Sequence, residues 1–201
     1  MKHAWDQPLG VWNIAESHPD AVAIATCPSG ETLTFAALAG RCHQIVHALR
    51  ARGIGPGDVV AMALPNDVDI VLWLLASQEG GFRSLALNPA LSDAEIEGIL
   101  RHSGAKAVVA HAALAGRLTD VAAVQDAALR LSVGGAVPGF DDAATHLGTF
   151  PTTLPSDRVL GGPVFYSSGT TGAPKGIWRA IPPVDPTLAA DAMKSFGQAF
   201  Q

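Results

Sequence analysis

Apolar residues recur along this chain with two alternating spacings. The runs "AVAIATC", "DVVAMAL", "RSLALN", "AVVA" and "LRLSV" are short and rich in β-branched and small apolar residues, the composition of strands. Between them, Phe35, Leu38, Ala39, Cys42, Ile45, Val46 and Leu49 fall at helical spacing on one face, and Gly53 and Pro56 close that segment. "DIVLWLLASQ" reads as an apolar helix stopped by Gly80 and Gly81. "LSDAEIEGILRHSG" carries a full set of helix signals: Ser92 as N-cap, Glu95 at the spacing of a capping box, and Gly104 as a left-handed stop. "PSG" stands between the first run and "ETLTF", with Pro28 and Gly30 at the second and fourth positions of a type I turn, so these two runs are expected to pair as a hairpin.

The alternation continues through Val133 and predicts an α/β fold with right-handed crossovers, a largely parallel sheet and helices on both of its faces. His111 to Ala128 is alanine-rich with a weaker pattern, and the stretch from Gly134 to Gly162 reads as loop. No internal repeat is present. In "PTLAADAMKSFGQAFQ", Leu188, Ala192, Met193, Phe196 and Phe200 return to helical spacing and the pattern runs to Gln201 uncapped, so this apolar face is expected to need a partner.

Composition narrows the function classes. With 48% apolar and 15% charged residues in 201, the chain can bury one substantial core or form the first part of a larger domain. A net charge of −5 with no basic cluster argues against a nucleic-acid partner. The longest apolar run, Ile70 to Ala76, falls far short of the roughly 20 residues that cross a bilayer, so no transmembrane segment is expected. "MKHAWDQPLG" lacks the pattern of a signal peptide, which points to a cytoplasmic protein. Cys27 and Cys42 form no C-x-x-C pair and read as reduced core thiols.

The candidate chemistry sits in "VFYSSGTTGAPKGIW", from Val164 to Trp178, where hydroxyl and glycine residues lie between two runs that read as strands. Glycines let backbone amides approach a ligand, hydroxyls add donors, and Lys175 adds one mobile positive charge, a combination suited to phosphate. By composition alone the stretch is equally an ordinary flexible surface loop. It is not a Walker A loop, because Gly176 follows Lys175 and "IWRAI" reads as a strand; G-x-G-x-x-G and G-x-S-x-G are absent too.

"YSSGTTGAPKG" resembles the signature loop of the AMP-forming adenylating enzymes, which comprise acyl-CoA synthetases, luciferases and the adenylation domains of peptide synthetases. The match holds at every position from Tyr166 to Gly176, and most of Pro19 to Gly176 is similar to the family plan. "LNPALSDAEIEGILRHSGAKAVV" looks most like the acyl-CoA synthetase branch. The resemblance implies ATP-dependent activation of a carboxylic acid, here a fatty acid, to acyl-AMP and pyrophosphate, followed by thioester formation with CoA. It implies that Ser167, Ser168, Gly169, Thr170, Thr171, Gly172 and Gly176 belong to the site that holds ATP phosphates. Lys175 would neutralise the departing pyrophosphate, and Ser168 would help hold Mg²⁺.

The family's adenine motif, its Mg²⁺-binding glutamate, its ribose aspartate and the lysine of its mobile C-terminal lid domain do not occur in this sequence. Residues 1–201 are therefore expected to be the N-terminal part of an adenylation domain, unable to complete adenylation alone. Two other readings stay open: a small nucleotide- or phosphate-binding protein without catalysis, and a module that docks onto a separately encoded C-terminal remainder.

Other side chains are read more plainly. His43 and His47 are four apart on a helix, but Gln44 replaces the glutamate of H-E-x-x-H and no third ligand is evident, so both read as solvated helix residues. Asp141 and Asp142 read as a solvated turn or an N-cap, and Trp73 and Leu74 as core; Trp178 is left unassigned.

Overall fold

The structure is a computed structural model that describes residues 10–167 and 175–190. Helix α1 (Val11–Ser17) leads into strands β1 (Val22–Ala25) and β2 (Thr32–Thr34). The chain then alternates through α2 (Phe35–Ala51), β3 (Val59–Ala63), α3 (Val68–Gly80), β4 (Arg83–Ala86), α4 (Asp93–Ser103) and β5 (Ala107–His111). After α5 (Ala112–Leu118), α6 (Ala122–Gln125), β6 (Leu129–Val133), β7 (Asp141–Asp142) and α7 (Ala143–Leu147) come β8 (Gly162–Ser167) and β9 (Lys175–Trp178).

Seven strands form one sheet in the order β7-β6-β5-β3-β4-β8-β9, with every pair parallel except β8 with β9. This is the doubly covered, largely parallel sheet that the alternation predicts. All five residues of β3 are buried, which explains the unbroken apolar run: a strand with helices on both faces has no solvated side. Val60 and Met62 join Leu38, Leu49 and Trp73 in the core under α2 and α3, while Val59, Ala61 and Ala63 join Ile96, Leu100 and Leu118 under α4 and α5.

The local signals act as their chemistry requires. Ser92 Oγ accepts the Glu95 amide at 3.3 Å while Glu95 Oε2 accepts the Ser92 amide at 2.8 Å, and the helix ends at Gly104 with φ of +64°. Asp142 Oδ1 accepts the Thr145 amide at 2.9 Å, so the second aspartate of its pair is the N-cap of α7.

Some readings change. The β1–β2 connection is wider than a type I turn: the Gly30 amide donates to Thr26 O and the Thr26 amide to Glu31 O, both at 2.9 Å, with a cis Cys27–Pro28 bond between them. The alanine-rich stretch supplies α5 and α6, and the loop-rich one supplies β7 and α7, elements too short to show a period. Trp73 is core, but its neighbour Leu74 faces outward, and of the two cysteines only Cys42 is buried. Burial pushes the Cys42 thiol far above its ordinary range, helped by the charge of Glu79. Among the described residues no helix is long and apolar enough to cross a membrane.

Candidate functional site

The β8–β9 hairpin leaves the sheet early. β8 pairs with β4 only at Arg83↔Gly162 and Ser84↔Pro163; from Val164 onward its partner is β9, through Val164↔Trp178, Phe165↔Ile177, Tyr166↔Gly176 and Ser167↔Lys175. The pair Ser167↔Lys175 therefore closes the base of the connecting segment. Ser168, Gly169, Thr170, Thr171 and Gly172 of the expected phosphate site lie outside the described residues. Three of the expected residues, Ser167, Lys175 and Gly176, are brought together on adjacent strands. Lys175 is exposed and has no carboxylate partner among the described residues.

Side chains anchor the hairpin at both ends. At the end nearer the connecting segment, the Tyr166 hydroxyl shares a 2.7 Å hydrogen bond with Nδ1 of His102 in the last turn of α4, and the two rings meet edge to face at 5.6 Å and 89°. Tyr166 also packs on the core under α4. That burial lifts its phenol above the ordinary tyrosine range, with the Ser103 hydroxyl pulling the other way.

Gly176 lies against this ring: a Cβ there would sit 2.8 Å from Trp178 Nε1 and 3.1 Å from Tyr166 Cζ. Its missing side chain thus makes room for two aromatic residues, a packing reason for glycine that the loop pattern alone does not reveal. At the far end, Arg83 Nη1 donates to Arg179 O at 2.8 Å, and its guanidinium stands 6.0 Å from the Trp178 ring centre. Trp178 is therefore part of the hairpin's footing.

The segment entering β8 is held by the polar flank of α2, and here the reading of His43 and His47 as solvated needs correcting. His43 Nδ1 is 2.8 Å from Thr152 O, Gln44 Nε2 donates to Phe150 O at 3.0 Å, and His47 Nε2 is 2.9 Å from Thr153 O. Arg50 pairs with Asp157. His43 is buried, stacked on Trp12 at 6.1 Å, with Nε2 3.2 Å from Oε1 of the fully buried Glu79.

Arg158 Nη1 lies 3.4 Å from the same oxygen, and its Nη2 reaches Asp185 at 3.2 Å. Burial disfavours the charged His43 ring, but the nearby Glu79 carboxylate and the bond to Thr152 O outweigh it and raise the ring above its ordinary value. Sequence reasoning missed this cluster because Glu79 lies in the last turn of an apolar helix and its partners lie far away in sequence. The signal available was a second, polar stripe of His43, His47 and Arg50 at helical spacing.

A cavity of about 390 Å³ opens between α2, α3 and α7, lined by Arg41, Asp69, Trp73 and Gly134 among others, and no hairpin residue lines it.

The sequence and the fold are both similar to those of known proteins. The family model described as AMP-binding enzyme matches residues 11–180. A 4-chlorobenzoate–CoA ligase of Arthrobacter sp. is 31% identical over 194 residues, covering 94% of this chain and 36% of its own length. A feruloyl-CoA synthase of Amycolatopsis sp. is 32% identical over 174 residues, covering 85% of this chain and 33% of its own. Among solved structures, an anthranilate CoA ligase in complex with anthranoyl-AMP superposes with a TM-score of 0.69 at 25% identity, over 93% of this chain and 37% of that one. The chain spans about a third of the length of these relatives.

Proposed function

The chain belongs to the AMP-binding enzyme family, and from that membership we propose that it is the phosphate-gripping, N-terminal part of an ATP-dependent acid–CoA ligase. In the whole protein a carboxylate oxygen would attack the α-phosphorus of ATP and the bond to the β-phosphate oxygen would break, its electron pair leaving with pyrophosphate. CoA would then displace AMP to give the thioester. Ser167 to Gly172 donate to phosphate oxygens, and the Lys175 ammonium offsets the charge that grows on the leaving group. Ser168 would supply a hydroxyl ligand to Mg²⁺, which would offset phosphate charge. The observation that carries this reading is the register pair Ser167↔Lys175, which sets an exposed lysine, unpaired among the described residues, at the base of a segment rich in glycine and hydroxyl residues.

The substrate class moves from the sequence expectation of a fatty acid to an aromatic carboxylate. Support comes from the relatives, whose names specify 4-chlorobenzoate, ferulate and anthranilate. Residues 1–201 form a partial AMP-binding domain, with the hairpin 164–178 as its phosphate element, and do not turn over alone because the family's adenine, ribose and lid motifs are missing from them. A second reading, a module that docks on a separately supplied remainder, is expected from the face of Leu188, Met193, Phe196 and Phe200; Leu188 is 58% exposed and the other three lie outside the described residues. Phe165 and Ile177, which face each other across the hairpin at 53% and 50% exposure, add an apolar pair.

Calorimetry with Mg·ATP on the chain and on Lys175→Ala tests the phosphate reading. We expect binding that weakens at least about tenfold in the variant, as loss of a charge-assisted contact implies; equal binding in both, or none in either, overturns it. Pyrophosphate release with ATP and 4-chlorobenzoate or palmitate tests the rest. Release above background by this chain alone refutes its inactivity, and preference for palmitate in the family-length protein returns the substrate to the fatty acids.

A further inference from the structure

We propose that His102 is a positioning residue for the phosphate-binding hairpin, acting through Tyr166; toward ATP, this rests on the phosphate reading above. β8 leaves β4 after Pro163, so the backbone of the main sheet no longer fixes the hairpin beyond that point. Arg83 holds the hairpin at Trp178 and Arg179, the end remote from the connecting segment. At the near end, Phe165 and Ile177 are exposed and Lys175 is free of ion pairs among the described residues.

Tyr166 is the residue there whose side chain reaches the body of the protein, through its 2.7 Å bond to His102 Nδ1 and its packing under α4. It sits one register pair from Ser167↔Lys175, and Gly176 closes against its ring from β9. A tyrosine ring has two side-chain torsions, and bonding its far end to a helix fixes both. The strand carrying that ring is then oriented, and with it the residues that face phosphate.

The hydrogen bond is solvent-accessible and makes a small net contribution to stability. Its consequence is expected in the placement of donors, where small errors are costly. The sequence offers a direct probe, because Tyr166 is the single tyrosine of the chain. Ring-labelled tyrosine gives one NMR signal, and amide exchange of the β8–β9 pairs reports the stem independently of nucleotide.

In His102→Ala we expect the tyrosine signal to shift and exchange at Tyr166 and Gly176 to quicken, with thermal stability little changed. Mg·ATP should bind roughly three- to tenfold more weakly, the range of one lost hydrogen bond. His102→Asn places a polar atom near the position of Nδ1 and should recover both readouts, which a variant with merely lost packing would not.

An unchanged tyrosine signal with unchanged exchange overturns the proposal. So does an altered stem that leaves ATP affinity as in the wild type. If the wild type binds no Mg·ATP while the exchange difference stands, the phosphate reading has failed and the positioning of the stem by His102 has held.

Discussion

Every residue of β3 is buried between parallel neighbours, whereas in the β8–β9 hairpin Phe165 and Ile177 stand more than half and half exposed. The first region is held by apolar area on both faces, a force without direction that tolerates exchange among residues of similar size. The second buries apolar area at Val164 and the Tyr166 ring, and otherwise relies on a few directed contacts: Tyr166 to His102, Arg83 to the Arg179 carbonyl, and, where the chain enters β8, Arg158 and His43 on Glu79. Directed contacts fix position at the cost of redundancy. A part that must present donors to a ligand gains from the first property, and the candidate site lies in the part built that way.

The sharpest test of the contrast removes a centre residue. Trp73 is 2% exposed and packs with Leu38, Val60 and Met62 in the core under α2 and α3. Trp73→Ala should cost about 4 kcal/mol, the scale of a large core truncation. Denaturant unfolding measures it, and whatever folded fraction remains should bind Mg·ATP as the wild type does. A loss confined to nucleotide binding, with stability intact, would show that the two regions are not separable in this way.

Next in size is the charged root of the hairpin. Arg158→Ala leaves Glu79, which is fully buried, with His43 as its remaining partner and leaves Asp185 with its bonds from Thr187 but no cation. Removing one partner of a buried charge costs about 3 kcal/mol. Replacing the pair together, Glu79→Leu with Arg158→Met, should restore most of that stability, because the desolvation cost of both charges disappears. If the double variant unfolds as readily as the single one, the cluster contributes through geometry as well as charge compensation.

How much of this was legible in the chain follows from the range of each interaction. The β3, α3, α4 and β5 run was readable because burial on two faces writes a continuous or periodic apolar pattern within a dozen residues, and because Ser92, Glu95 and Gly104 act on their own helix. The segment Tyr166 to Gly176 was readable as a motif because it resembles the family's signature loop at consecutive positions, and the family model that spans residues 11–180 bears out the family, while its grip on phosphate is the proposal. The anchors were not. Glu79 and Arg158 are 79 positions apart and His102 and Tyr166 are 64 apart, and a single polar residue on a helix flank carries no period that names its partner. His43 was misjudged for that reason.

A smaller effect follows from the ionisation of that residue. His43 titrates above its ordinary 6.5 in the folded chain, so the folded state binds its proton more tightly than the unfolded one. The stabilisation is then complete below the unfolded value and is lost as pH rises through the folded value. Unfolding free energy should decline with pH across that interval, and His43→Asn should flatten the decline. A stability that instead rises through the same interval, and loses that rise in His43→Asn, would mean that burial prevails over Glu79 and that the ring is held neutral.

The smallest expected change bears most directly on the difference between the two regions. Phe165→Ser with Ile177→Thr alters a facing pair at the edge of the sheet, both residues about half exposed and on the side of the hairpin away from Tyr166. In β3 the same loss of apolar surface would cost several kcal/mol, but here so much is already in water that stability should move by roughly 0.5 kcal/mol or less. The contacts of Tyr166 with His102 and of Arg83 with Trp178 are left intact, so Mg·ATP affinity should be unchanged. Equilibrium unfolding and calorimetry on the same preparation separate the two quantities. A loss above about 1 kcal/mol would mean that the exposed face packs against something in solution, and the hairpin would then be held by apolar area on both of its faces, as the centre of the sheet is.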